Sequence, residues 1–89
     1  MQLGCLYGTN RIELLMQQNN QFRNEINEAI SKFINKDWGI TCIEDALLND
    51  LALLTGERIV AVYLTSYGPV WIISEHDRHA TTILFPSEY

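Results

Sequence analysis

The hydrophobic period of this chain changes once, at Thr55-Gly56, and that change sets the fold class. Ahead of it, apolar residues recur at three and four. Phe22, Ile26, Ala29, Ile30 and Phe33 form one stripe, and Ile43, Ala46, Leu47, Leu51 and Leu54 form another. After it, apolar and β-branched residues fill 58–65, 70–75 and 80–85, the alternating pattern of strands. Two polar turns, Ser66-Tyr67-Gly68-Pro69 and His76-Asp77-Arg78-His79, separate the strands, and connections this short force antiparallel neighbours. The spacing predicts helices over 10–18, 21–35 and 42–54. A short apolar run at 2–7 is available as a further strand. The expectation is a single α+β domain over 1–89: two or three N-terminal helices packed on a C-terminal three-stranded antiparallel β-meander, with the N-terminal strand as an addition to the sheet.

Local signals support these boundaries. Thr9 or Asn10 is a suitable N-cap for the first helix, in which Ile12, Leu15 and Met16 share a face, and Asn19-Asn20 breaks it. Gly39 suits a left-handed cap after the second helix. Thr41 with Glu44 three residues on reads as a capping box for the third, with Asp45 in the first turn where the helix dipole favours an acid. The stripe Ile43, Ala46, Leu47, Leu51, Leu54 is expected to face the core. Pro86 ends the last strand.

Both faces of the predicted sheet are apolar. Ile59, Ala61 and Tyr63 point one way, Val60, Val62 and Leu64 the other, and Val70 and Ile72 oppose Trp71 and Ile73. Three helices packed on one face leave the second to the N-terminal segment, to Tyr67 and Tyr89, or to another molecule. A homodimer or a hetero-partner through that open face is therefore one expectation.

A domain of 89 residues buries only about 60–65% of its unfolded surface, so stability is expected to be modest or completed by a partner. Cys5 and Cys42 have no CxxC spacing and sit among apolar neighbours, which predicts buried reduced thiols and a cytoplasmic protein. No apolar run approaches the roughly 18 residues of a membrane helix, and no signal-peptide pattern opens the chain. The net charge of −5 lies wholly in residues 41–89, which hold seven acids and two bases. That field disfavours nucleic acid and anionic membranes. An acidic face can mimic DNA toward a basic partner, but a solvated surface is the simpler account. Trp38, Trp71 and the tyrosines lack the neighbouring bases of a nucleic-acid stacking platform and read better as core.

Candidate chemistry concentrates in Ser74-Glu75-His76-Asp77-Arg78-His79. His76, Asp77 and His79, with Glu75, have metal-ligating side chains, but ligands so close in one turn do not converge without strain. Ser74 and His76 share a strand face as nucleophile and base require, but no nucleophile elbow or oxyanion loop accompanies them. Glu44-Asp45, Asp50 and Glu57 are explained as helix-end acids, and no P-loop, GxGxxG or HExxH motif is present. These residues name no catalytic group, cofactor or metal, and the 74–79 turn is kept as the hydrolase or metal-binding alternative.

From Asp37 onward, Asp37-Trp38-Gly39, Asn49-Asp50, Arg58-Ile59, Thr65-Ser66, Trp71-Ile72-Ile73, Asp77-Arg78, Thr81-Thr82-Ile83-Leu84 and Glu88-Tyr89 carry a resemblance. The chain is similar there to small proteins of bacterial plasmids, conjugative elements and prophages labelled "plasmid-related protein" or "type I restriction endonuclease subunit M". A methylation subunit needs cofactor and catalytic motifs that are absent here. His76 and His79 depart from the pattern. The resemblance implies a mobile-element or phage setting and brings no catalytic residues with it.

The function expected is therefore a non-catalytic interaction or regulatory protein that binds a protein partner, an anti-defence inhibitor of a CRISPR or restriction complex being one form. A self-assembling homodimer is the alternative. The contact residues expected from the sequence are Tyr67, Glu75, Asp77, Arg78 and Tyr89, at the two hairpin ends and the C-terminus, because aromatic and arginine anchors dominate interfaces.

Overall fold

A computed structural model describes residues 1–89. The elements in chain order are β1 (Cys5–Gly8), α1 (Asn10–Gln18), α2 (Asn20–Ile34), α3 (Ile43–Thr55), β2 (Ile59–Thr65), β3 (Gly68–Ser74) and β4 (Ala80–Leu84), with single 3-10 turns at His76–Arg78 and Pro86–Glu88. The fold is α+β. The strands of the predicted meander are present, with β2–β3 and β3–β4 antiparallel. The sheet has a fourth strand, however, and is mixed. β1 lies beside β4 and runs parallel to it, Cys5 facing Ala80 and Gly8 facing Ile83, which gives the order β1-β4-β3-β2. No helix is long and apolar enough to cross a membrane.

The first two helices form as their local chemistry dictates. Thr9 Oγ1 accepts from Ile12 N–H at 3.3 Å and Asn19 Oδ1 from Phe22 N–H at 3.0 Å, so each helix start has a capped donor. Their apolar stripes meet the first sheet face. Ile12, Phe22, Ile26, Ala29 and Phe33 pack on Ile59, Ala61, Tyr63, Val70, Ile72, Ile83 and Phe85, with Trp38 closing one end. The Tyr63 hydroxyl reaches through this layer to donate to the Asp37 carbonyl at 2.7 Å. Glu25 ties α2 to the β2–β3 hairpin by accepting from the Ser66 N–H at 3.1 Å.

Several expectations are corrected. α1 and α2 supply most of the cover on that sheet face; α3 lies along the outer edge of β2 and adds Ala52 to the core, with Ala46 and Leu53 packed beside it. Of the stripe expected to face the core, Ile43, Leu47, Leu51 and Leu54 are exposed and only Ala46 is half-buried against it; the buried residues of α3 are Asn49 and Ala52. Thr41 makes no capping box, because its hydroxyl is held by the sheet edge; Cys42 is the N-cap residue and gives no side-chain bond. Cys5 and Cys42 are exposed, one on an edge strand and one at a helix start.

Candidate interaction surface

α3 is anchored by polar groups. Val60 and Val62, alternate residues of the edge strand β2, present backbone groups that β3 leaves unpaired. Asn49 takes both groups of Val60: its Nδ2 donates to the carbonyl at 2.9 Å, and its Oδ1 accepts from the N–H at 3.3 Å. Thr41 Oγ1 accepts from Val62 N–H at 2.9 Å, and Ile40 N–H donates to the Val62 carbonyl at 2.9 Å. Gly39 makes this approach possible. It sits at φ +64°, and a Cβ there would fall 2.4 Å from the Val62 carbonyl oxygen. Asp50 accepts from Trp38 Nε1 at 2.8 Å. At the far end Gly56, at φ +78°, reverses the chain, and the Arg78 guanidinium donates to the carbonyls of Ala52 (2.9 Å) and Glu57 (2.6 Å).

These bonds fix the rotation of α3. Asn49 points at β2, so the opposite side of the helix points away from the molecule. That side holds Ile43 (79% exposed), Leu47 (63%), Leu51 (55%) and Leu54 (85%), spaced four, four and three residues apart. Leu48 is exposed on the flank toward the second sheet face. Ile40 and Leu64, also exposed, lie together on the α2 side. Single exposed leucines are ordinary, but a continuous helix-length stripe of them is not.

Leu48 also walls a groove of about 460 Å³ on the second sheet face. Its floor is Val60, Val62, Trp71 and Ile73. Tyr89 packs edge-on against Trp71 with ring centroids 5.3 Å apart and lines the groove. Arg58 holds Tyr89 in place, donating to its hydroxyl at 2.8 Å while its Nε lies 3.4 Å from Glu75 Oε1. The C-terminus therefore covers only part of this face.

The five residues expected from the sequence do not gather into one site. Glu75 and Tyr89 come together through Arg58 beside the groove. Tyr67 sits at the other end of β3, edge-on to Phe22 at 5.2 Å, with its hydroxyl accepting from Asn19 Nδ2 at 3.2 Å. Arg78 is engaged with the end of α3. Asp77 is exposed at φ +61°, its carboxylate 3.6 Å from His76 Nε2.

The chemical alternatives lose their geometry. Ser74 is fully buried against the first sheet face, with its Oγ 3.3 Å from Thr81 Oγ1, while His76 is exposed on the turn beyond it. His76, Asp77, His79 and Glu75 are not assembled into a group that could hold a metal ion.

The surface that sequence reasoning missed is the stripe itself. In sequence its four residues read as apolar and helical, which by itself points them inward. The signal that separates the two orientations is Asn49: a carboxamide on the helix side opposite Leu47 and Leu51 has a backbone edge to bind, whereas leucines do not.

The chain matches no family model, no curated protein and no solved structure.

Proposed function

We propose that this chain is a non-catalytic interaction protein that docks the outward face of α3 onto a protein partner. The observation that carries the reading is the exposed stripe Ile43, Leu47, Leu51 and Leu54 on a helix whose inward side is held by specific polar bonds. Exposed apolar stripes of this length lower solubility unless something covers them, and they mark interaction sites in small soluble proteins. The groove beside Leu48 and Trp71 extends the same surface, and Tyr89 enters the contact at its rim. Tyr67 and Arg78 act within the fold in this reading. The resemblance from Asp37 onward supports a mobile-element or phage setting, in which inhibition of a defence complex is one form of such docking.

The test is capture from nuclease-treated bacterial lysate with tagged wild-type chain and a Leu47→Glu, Leu51→Glu variant, with circular dichroism confirming that both fold. A protein retained stoichiometrically by the wild type and lost from the variant is the expected result. Equal capture by both, or no stoichiometric protein with either, overturns the reading.

A further inference from the structure

We infer that the occupant of the α3 face is an amphipathic helix of another protein whose apolar stripe is flanked by lysine or arginine; this presupposes the docking role proposed above. The shape of the surface argues for a helix. The stripe runs the length of a 13-residue helix, about 20 Å, and its four-four-three spacing keeps the four side chains on one face, the ridge on which a second helix packs.

Charge identifies the chemistry of that helix. Glu44 and Asp50 border the stripe on its two sides, with Asp45 and Glu57 nearby; no base occurs in the sequence between Thr41 and Glu57, and Arg58, which lies on the Leu48 flank, is paired with Glu75. None of these four acids has an ionic partner. The ion pairs of the molecule are Lys32–Glu28, Arg58–Glu75 and His76–Asp77. Of the other four bases, Arg11 lies over the Phe85 ring, Arg23 binds Asn20, Arg78 binds carbonyls, and Lys36, past the end of α2, pairs with no acid. Acids beside an apolar seam select partners by the sign of the charge they bring.

The same charges oppose a second copy of this chain on the stripe. A two-fold antiparallel pairing of α3 with itself meets near the middle of the helix, which sets Asp50 beside the Asp50 of the other copy. It would also bring together a helix with three acids and no bases on each side.

The experiment uses two labelled synthetic helical peptides with leucine at the a and d positions, one with lysine and one with glutamate at e and g. Each is titrated with the full chain by fluorescence anisotropy at low salt. The lysine peptide is expected to bind about 10-fold tighter than the glutamate peptide, the combined effect of two or three exposed pairs. Added salt should narrow that margin. Leu47→Glu should abolish binding of both peptides. Glu44→Lys with Asp50→Asn, which keeps an acceptor for Trp38, should remove the preference for lysine. Equal affinity for the two peptides, or binding of neither, overturns the inference. So does a wild-type dimer by light scattering that Leu47→Glu converts to monomer. The lysate comparison with Leu47→Glu, Leu51→Glu decides separately whether the face docks any protein at all, so the two ideas fail by different results.

Discussion

Asn49 and Val60 are joined by two hydrogen bonds, carboxamide to backbone, in the pattern one strand residue uses to pair with another. A helix side chain thus completes the edge of a sheet, and the direction in which α3 displays its leucines follows from it.

Removing that pairing should uncover the edge. Asn49→Ala leaves the Val60 N–H and carbonyl without partners in a half-buried position, a loss of about 2–3 kcal/mol. Amide exchange at Val60 should become fast, while Val62, held by Thr41, stays protected. Denaturant unfolding and residue-resolved hydrogen exchange check the two statements. Unchanged protection at Val60 would show that the carboxamide does not hold the edge.

The exposed stripe should be expendable for folding. Leu47→Glu and Leu51→Glu should each change unfolding free energy by no more than about 0.5 kcal/mol, as surface changes do. Phe22→Ala, by contrast, empties a fully buried site and should cost about 3–5 kcal/mol. A loss above about 2 kcal/mol at Leu47 would place that residue in the core.

Arg78 should matter to α3. Its guanidinium serves the Ala52, Glu57 and Glu75 carbonyls at once. Arg78→Ala should cost about 1–3 kcal/mol, the range for hydrogen bonds to a charged group, and should raise exchange in the last turn of α3. Arg78→Lys should restore only part of this, because a point charge cannot span the carbonyls as the planar fork does.

Tyr63 should make stability fall at alkaline pH. Burial, with a further contribution from the Asp37 carboxylate, raises its pKa well above the usual tyrosine value. The folded state therefore keeps a proton that the unfolded chain releases above pH ~10. Its stabilisation is complete below that pH and is lost as pH rises toward the folded pKa, at about 1.4 kcal/mol per pH unit. Tyr63→Phe should weaken the protein at neutral pH by about 1 kcal/mol through the lost bond to Asp37. It should also flatten the alkaline decline by the slope of one proton. Urea midpoints of both proteins between neutral and alkaline pH give the comparison.

Much of the fold was legible because its signals are local. The α2 stripe from Phe22 to Phe33 and the alternation of Ile59, Ala61 and Tyr63 each specify an element and its buried side without reference to the rest of the chain. The parallel pairing of β1 with β4 was not legible, because a four-residue strand carries no mark of its neighbour. The stripe on α3 misled for a related reason: Leu47 and Leu51 show the same period whether they face their own core or another molecule. Asn49 resolves the ambiguity, but only once the free edge of β2 is known. Arg78 reads in sequence as an interface anchor because a turn arginine gives no sign there of the carbonyls it meets in the fold.

The most direct test of the docking role is calorimetric titration of the protein recovered on tagged wild-type chain, using wild type and the Leu47→Glu, Leu51→Glu variant. Two buried anchors lost together should weaken affinity by at least about 100-fold. The same dissociation constant for both would contradict the assignment of α3 as the contact surface.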